Sequence, residues 1–167
     1  VSPWNRNFVP RWILGPGGVS GELKKRTGPE PWDELAGRGL LRLGEAVLTP
    51  AGRCSNAKAI IHVAGLNVRW RASAQSVELS VGNAVRLTQA HQFGSIVMPL
   101  IGAGHGGLSP ATSLRAMMDA LERAQAQHIP APLVVTIVRP LLPAPVNVAP
   151  VRDHEVMARD GEQGSAR

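Results

Sequence analysis

The sequence predicts an α/β sandwich with a largely parallel or mixed sheet, and two observations support this fold class. Segments with strand-like and helix-like patterns alternate along the chain, which is typical of sheets whose strands are joined by helices. Hydrophobic residues make up 44% of the 167 residues, so the chain can bury a substantial core. A chain of this length is expected to form one domain.

Glycine and proline residues divide the first half of the chain into short elements. We predict, in order, the end of a strand in VSPWN (1–5), a helix over 19–26, a short helix in EPWDELAGRG (30–39), a strand in GEAVLTPAG (44–52) and a β-branched strand over 57–65. Ser20 is predicted to cap the first helix with its side chain, and Gly28–Pro29 is predicted to end it.

The second half of the chain contains longer elements. We predict a helix over 72–93 that Gly94 closes, a strand over 95–101, a helix from Pro110 to about Gln127, and a strand over 132–138. The helix that follows Pro110 is expected to bury Leu114, Met117, Met118 and Leu121. The last strand is continuously apolar, which predicts burial on both of its faces.

The composition changes after Arg139. Proline becomes frequent, and the chain ends in the small, polar and charged segment RDGEQGSAR. We therefore expect one domain over residues 1–139, followed by a proline-rich, disordered tail over residues 140–167.

The net charge of +6 and the pI near 11.0 favour a polyanionic partner, either a nucleic acid or a phosphorylated small molecule. The basic residues are dispersed, and Lys24, Lys25 and Arg26, the only three in a row, are expected to form a solvated helix face. The chain has no tyrosine and no interleaved aromatic and basic residues of the kind that single-stranded nucleic acid requires. A nucleic-acid partner is therefore possible but not favoured.

Cysteine usage and hydropathy limit the remaining function classes. Cys54 is the only cysteine, so an internal disulfide and a cysteine-based metal cluster are excluded. No apolar run approaches the ~20 residues of a membrane helix, and polar residues interrupt the N-terminal segment early. We expect a cytoplasmic protein without a membrane partner, a metal or a cofactor.

The segment GAGHGG (102–107) lies between a predicted strand and a predicted helix, and its glycines have the spacing G-x-G-x-x-G. Such a loop lets backbone N–H groups approach phosphate oxygens and directs a helix N-terminus at their charge. A Rossmann dinucleotide site is not supported, because the strand that follows carries no acidic residue to bind a ribose. A Walker-type phosphate loop is excluded, because no Lys-Ser or Lys-Thr follows the glycines.

A second glycine-rich segment, GPGGVSG (15–21), also precedes a predicted helix. Two such loops can hold a diphosphate from both sides. We call residues 15–21 the first glycine loop and residues 102–107 the second glycine loop.

Four stretches, in the same order along the chain, make the sequence resemble the macrodomain family, an ADP-ribose-binding module. They are VSPWN, GPGGVSGELKKRTG, GEAVLTPAGRCSNAKAIIHVAG and SIVMPLIGAGHGGLSP, and the resemblance as a whole runs from about Val1 to Val138. The resemblance implies a three-layer α/β/α sandwich with a mixed, mostly parallel sheet. It also implies ADP-ribose or an ADP-ribosylated macromolecule as the ligand, and it places the family's first strand or strands before Val1.

The resemblance further implies that the two glycine loops and the end of the first strand bind the ligand. The implied ligand-binding residues are Asn5, Gly17, Gly18, Val19, Ser20, Gly102, Ala103, Gly104, His105, Gly106 and Gly107.

Three positions depart from the family pattern. Ser2 replaces an asparagine, Ser20 replaces the acidic residue of hydrolytic members, and Gly106 replaces an aromatic residue that packs on the distal ribose. Because backbone N–H groups do not depend on side chains, these changes favour ligand binding over catalysis. The alternative is an ADP-ribosyl hydrolase or O-acetyl-ADP-ribose deacetylase with an atypical site, for which Asn5, Ser20 and His105 are the candidate catalytic residues.

The remaining histidines and tryptophans are expected to be structural. His62 lies in an apolar strand and is predicted to be a hydrogen-bonded core residue. Trp4 and Trp12 are predicted to pack within the domain rather than to cover a base.

Overall fold

The computed structural model describes residues 1–6, 17–126 and 132–139. Its elements are β1 (Ser2–Trp4), α1 (Gly18–Thr27), α2 (Glu30–Gly37), β2 (Ala46–Pro50), β3 (Ala59–Ala64), α3 (Ala74–Ala90), β4 (Ser95–Pro99), α4 (Pro110–Ala126) and β5 (Val134–Val138). The predicted alternation of strands and helices is confirmed. Trp12 and the predicted tail over residues 140–167 lie outside the described residues.

The strands form parallel and antiparallel pairs. Strand β3 lies between β1, which runs parallel to it, and β2, which runs antiparallel to it. Strands β4 and β5 form a second, parallel pair. The two groups lie side by side, because β1 contacts β4 and the Val1 nitrogen donates a hydrogen bond to the Val97 carbonyl oxygen at 2.5 Å. The predicted mixed, mostly parallel arrangement is confirmed.

Helices cover both faces of the strands. On β2, Ala46 and Leu48 pack against the core formed with α3 and α4, whereas Val47 packs with Trp32 and Leu35 of α2. Because alternate side chains of a strand point to opposite faces, these two cores lie on opposite sides of the sheet. The fold is therefore the predicted three-layer α/β/α sandwich.

Helix α3 begins and ends differently from the sequence-based prediction. It begins after Ser73, whose hydroxyl accepts a hydrogen bond from the Ser76 N–H at 3.1 Å in a capping box. The prediction that Gly94 closes this helix is wrong. The chain turns at Gln92, whose φ is 56°, and the Phe93 N–H donates to the Thr88 carbonyl oxygen at 3.0 Å.

The predicted burial of strand β5 on both faces is also wrong. Val134 is 65% exposed and Val138 49% exposed, whereas Val135 and Ile137 pack against the core. Within the described part of the chain, β5 pairs with β4 alone, and helices α3 and α4 line the face to which Val135 and Ile137 belong. One face of the strand is therefore open.

The predicted buried stripe of α4 is partly wrong. Met117 is fully buried, but Met118 is 44% exposed, and Leu114 and Leu121 are only partly buried. Small residues fill the rest of the buried face instead, namely Ser113, Ala116 and Ala120. Helix α4 packs closely on α3, and small side chains permit that close approach. Among the described residues, no helix has the length and hydrophobicity needed to cross a membrane.

His62 is a core residue, as predicted. Its side chain is fully buried, its Nε2 lies 2.9 Å from the Thr49 hydroxyl, and its ring forms a T-shaped pair with Trp32 at a centroid distance of 4.9 Å. Its Nδ1 has no hydrogen-bond partner among the described residues. Burial lowers the pKa of His62 to about 3, and the N-terminal ammonium group adds to this effect.

The lowered pKa of His62 predicts acid sensitivity of the fold. In the unfolded chain a histidine takes up a proton near pH 6.5, whereas the folded chain resists protonation until about pH 3. The free energy of unfolding is therefore highest above pH 6.5, where His62 is neutral in both states. Below that pH it falls by about 1.4 kcal/mol per pH unit, because only the unfolded chain takes up the proton.

We expect urea unfolding at pH 7.5, 5.5 and 4.5 to show this decline in the free energy of unfolding, and His62→Gln to reduce the slope. Substitution of the exposed His91 by Gln serves as the matched control, and we expect the decline to persist in this variant. Equal slopes for His62→Gln and the unmodified chain would contradict the assignment.

Candidate functional site

Both glycine loops border one cleft of about 180 Å³ at the end of β1 and the start of α1. The residues that line it are Pro3, Trp4, Asn5, Gly17, Ser20, Leu66, Trp70, Gly102, Gly104, His105 and Gly106. The structure thus brings together most of the residues that the resemblance implied. A larger cleft of about 330 Å³, beside Lys58 and Phe93, contains none of them.

Four of the implied ligand-binding residues do not line the cleft. Gly18 and Val19 lie in the exposed first turn of α1, and Ala103 and Gly107 lie within the second loop. Residues 15 and 16 of the first loop lie outside the described residues. Part of each loop therefore lines the cleft.

Helix α1 begins at the cleft without a side-chain cap. Gly17 is the N-cap residue, which corrects the prediction that Ser20 holds this position. The Gly21 N–H donates to the Gly17 carbonyl oxygen at 3.3 Å, so the helical hydrogen bonds begin there. The preceding N–H groups of the first turn have no partner within the helix, and the helix dipole concentrates positive potential at this end. Such a terminus is suited to bind an anion.

Ser20 holds α1 against β1 instead of capping the helix. Its side chain is buried, and its hydroxyl donates a hydrogen bond to the Pro3 carbonyl oxygen at 2.5 Å. The Ser2 hydroxyl lies 3.1 Å from the same oxygen atom of Ser20. Two of the departures from the family pattern, Ser2 and Ser20, are therefore in contact with each other. Together they fix the helix N-terminus relative to β1, which ends at Trp4, immediately before Asn5.

The second glycine loop is folded tightly on itself. Gly102 and Gly107 have φ values of 82° and 77°, a conformation that favours glycine. The Gly107 N–H donates to the Gly104 carbonyl oxygen, and the Leu108 N–H donates to the Gly102 carbonyl oxygen, both at 3.1 Å. The loop is therefore fixed by its own backbone, and Gly104 is exposed and lines the cleft.

Packing explains the absence of an aromatic residue at position 106. A Cβ atom on Gly106 would lie 2.7 Å from the Gly102 carbonyl oxygen and 2.8 Å from the Ala72 Cβ. The Ala72 N–H also donates a hydrogen bond to the Gly106 carbonyl oxygen at 3.0 Å, so the segment before α3 is tied directly to the loop. A Cβ on Gly104, in contrast, would meet no atom within 4 Å.

The His105 side chain of the second glycine loop lies next to Gly17 of the first glycine loop. A Cβ atom on Gly17 would lie 3.2 Å from the His105 Cε1 and 3.6 Å from its Nε2. The imidazole is exposed and lines the cleft. An imidazole at this place can donate a hydrogen bond to a phosphate oxygen held between the loops.

Trp70 and Leu66 line the cleft although neither was predicted as a site residue. Both lie in the segment 65–73 between β3 and α3, which we call the β3–α3 loop. Trp70 is half-buried and has a φ of 61°, which costs a residue with a side chain about 1–2 kcal/mol. Their position just after the carboxyl end of β3 could have indicated a role in the site, because ligands of α/β proteins bind at that edge of the sheet.

Hydrogen bonds hold the β3–α3 loop in this conformation. The Asn67 side-chain oxygen accepts hydrogen bonds from the N–H groups of Arg69 and Arg71, at 2.9 and 3.1 Å. The Asn67 N–H donates to the Arg71 carbonyl oxygen, and the Trp70 N–H donates to the Asn67 carbonyl oxygen, both at 3.0 Å. The turn therefore maintains the strained conformation of Trp70.

Comparisons with known proteins identify the fold. The sequence model of the family described as Macro domain matches residues 1–117. The chain belongs to the macrodomain family. A macrodomain of Trypanosoma brucei, solved in complex with ADP-ribose, superposes with a TM-score of 0.70 at 19% identity. The match covers 83% of this chain and 56% of the trypanosomal chain, so this chain spans little more than half of that protein.

Two bacterial proteins are also similar to this macrodomain. A variant of the Oceanobacillus iheyensis macrodomain, solved with ADPR, superposes with a TM-score of 0.63 at 21% identity over 75% of this chain and 71% of the other. An uncharacterized protein of Aquifex aeolicus is 27% identical over 128 residues, which are 76% of each chain. The match to the family model confirms the predicted family, and the similar structures confirm the predicted fold.

Proposed function

We propose that this macrodomain binds ADP-ribose, or an ADP-ribose group carried by a macromolecule, with the diphosphate between residues 17–20 and 102–107. The observation that carries the proposal is the convergence of both glycine loops on one cleft. The two similar structures solved with ADP-ribose and ADPR support the same class of ligand.

The electrostatics of the cleft are suited to a diphosphate. The uncapped N-terminus of α1 supplies backbone N–H donors on one side, and His105 supplies a side-chain donor on the other. Among the described residues, no carboxylate lines the cleft. A diphosphate in the cleft would therefore face hydrogen-bond donors and, in the described ranges, no negatively charged side chain.

The same lining favours binding over hydrolysis. Hydrolysis requires a base that activates water, such as a carboxylate positioned at the bond to be cleaved. The Ser20 hydroxyl is engaged with the Pro3 carbonyl oxygen and is buried. Among the side chains that line the described part of the cleft, His105 alone has an ionisable acid or base group. Its imidazole lies next to Gly17 of the first glycine loop.

Isothermal titration calorimetry with ADP-ribose tests the proposal. We expect saturable binding of one ADP-ribose per chain, with an affinity that depends only weakly on salt, because few charges are neutralised. A nucleic-acid site with many phosphate contacts would instead lose affinity about a thousandfold between 50 and 200 mM salt. An absence of both heat and thermal stabilisation at millimolar ADP-ribose would contradict the proposal.

A further inference from the structure

We propose that His105 binds the diphosphate as an imidazolium ion, so that the cleft takes up a proton together with its ligand. The inference rests on the proposed function and adds to it a dependence of ligand affinity on pH. The backbone N–H groups of the glycine loops cannot supply such a dependence, because they do not titrate. The ligand class is a diphosphate diester, in which both phosphates stay ionised across neutral pH.

The His105 side chain lies between the two glycine loops. A Cβ atom on Gly17 would lie 3.2 Å from the His105 Cε1 and 3.6 Å from its Nε2, so the ring lies directly against the N-cap residue of α1. The N–H groups of the first turn of α1, which have no partner within the helix, begin at the same place. An anion bound by these N–H groups therefore lies beside the imidazole.

The glycine at position 17 is explained by this ring. Gly17 has a φ of −93° and a ψ of 173°, an extended conformation that other residues also adopt. Carbon atoms prefer a separation of about 3.5–4.0 Å, so a side chain at 3.2 Å from the His105 Cε1 would crowd the imidazole. The absence of a side chain at Gly17 therefore allows the imidazole to approach the start of the helix.

His105 is the one side chain lining the described part of the cleft whose type changes charge near neutral pH. The nearby cations are arginines. Arg69 and Arg71 are exposed in the β3–α3 loop, and a Cβ atom on Gly107 would lie 3.2 Å from the Arg71 Nη1. Arg6, which follows β1, donates a hydrogen bond from its Nε to a backbone carbonyl oxygen. Arginine stays protonated, so these residues add positive charge without adding pH dependence.

Acidic groups are absent from the described lining of the cleft. Glu22, the first acidic residue of α1, is ion-paired with two basic residues of its own helix, and the first charged residue of α4 is Arg115. Burial lowers the pKa of the Val1 ammonium group to about 6, but this group lines the larger cleft instead. A bound diphosphate is therefore the anion next to His105, and its negative charges favour the protonated imidazole.

The test measures ADP-ribose binding by calorimetry at pH 6.0, 7.0 and 8.5. At pH 7.0 the titration is repeated in buffers with different enthalpies of ionisation, because the change in binding heat gives the number of protons taken up. ADP-ribose is the suitable probe, since both of its phosphates are diesters that do not titrate in this range. Thermal unfolding at each pH establishes that every protein is folded.

Two substitutions assign the proton. His105→Gln keeps a hydrogen-bond donor that cannot be charged. His91→Gln is the matched control, since His91 is exposed and does not line the cleft.

We expect the unmodified chain to bind ADP-ribose about fivefold more tightly at pH 6.0 than at pH 8.5, because a charged hydrogen-bond donor is stronger than a neutral one. It is expected to take up a fraction of one proton at pH 7.0. His105→Gln is expected to bind equally at all three pH values without proton uptake, with an affinity near that of the unmodified chain at pH 8.5. His91→Gln is expected to behave as the unmodified chain does.

A double-mutant cycle tests the position of the ring against Gly17. Gly17→Ala adds a Cβ that displaces the imidazole, so we expect it to reduce the proton uptake and to weaken binding at pH 6.0. In a chain that carries His105→Ala, the same change is expected to have little effect, because no ring remains to be displaced. An equal loss in both backgrounds would contradict the proposed position of His105.

Two further results would overturn the inference while leaving the proposed function intact. One is equal affinity at pH 6.0 and 8.5 in the unmodified chain, without proton uptake. The other is a proton uptake that persists in His105→Gln, which would assign the proton to another group. If the unmodified chain fails to bind ADP-ribose at all three pH values, the proposed function and this inference are both contradicted.

Discussion

Gly104→Glu is expected to weaken ADP-ribose binding at least about a hundredfold, or about 2.8 kcal/mol, without unfolding the domain. A Cβ at this position would meet no atom within 4 Å, so a longer side chain can be accommodated at the cleft. The carboxylate would stand beside the proposed diphosphate site, where it would repel the ligand and occupy its volume.

Two matched variants separate the possible causes of this loss. Gly104→Gln has the same size without the charge and is expected to show an intermediate affinity. Gly37→Glu adds the same charge at another glycine with open surroundings, outside the cleft, and is expected to bind as the unmodified chain does. Calorimetry gives the dissociation constants, and thermal unfolding gives the stability. Normal ADP-ribose affinity in a folded Gly104→Glu protein would place the ligand elsewhere.

Gly106→Phe is expected to destabilise the domain by at least about 2 kcal/mol and to weaken ADP-ribose binding, rather than to restore the aromatic contact of the family pattern. The Cβ alone would lie 2.7 Å from the Gly102 carbonyl oxygen and 2.8 Å from the Ala72 Cβ. Since the first of these neighbours is backbone of the same loop, the loop itself has to move.

Gly106→Ala and Gly104→Ala form a matched pair for this effect. Each adds one methyl group to the same loop, but only the first meets close neighbours. We expect urea unfolding to show a loss of stability for Gly106→Ala and little change for Gly104→Ala. A Gly106→Phe protein of normal stability that binds ADP-ribose more tightly would refute the packing argument.

The glycines of the second glycine loop have two different roles. Gly104 lines the cleft and a Cβ there would meet no atom within 4 Å, so its lack of a side chain leaves space for a ligand. Gly102 and Gly106 are closed by neighbouring atoms, so their lack of side chains permits the β3–α3 loop to approach. The packing that excludes a ring at Gly106 is therefore the same packing that brings Trp70 to the cleft.

Local patterns in the sequence were sufficient for the order of elements and for the position of both glycine loops. Periodicity and turn residues report on the chain within a few neighbours, and the strands of VSPWN and 57–65 and the helix from Pro110 follow from them. The same patterns misplaced the end of α3, because Gln92 adopts the turn conformation that Gly94 was predicted to supply. They also predicted burial of both faces of β5, which is wrong, because the burial of a strand depends on the elements that pack on it.

The sequence by itself determined the α/β class, the glycine-rich entrances to α1 and α4, and the resemblance to macrodomains. Only the tertiary structure decided that the Ser20 hydroxyl donates a hydrogen bond to the Pro3 carbonyl oxygen, that Gly106 has no room for a side chain, and that Trp70 lines the cleft. The contacts of Ser20 with Pro3, of Gly106 with Ala72, and of Trp70 with the other residues of the cleft join residues that are far apart in the chain. Such contacts depend on how helices and loops pack across the sheet, and no short window of sequence contains both partners.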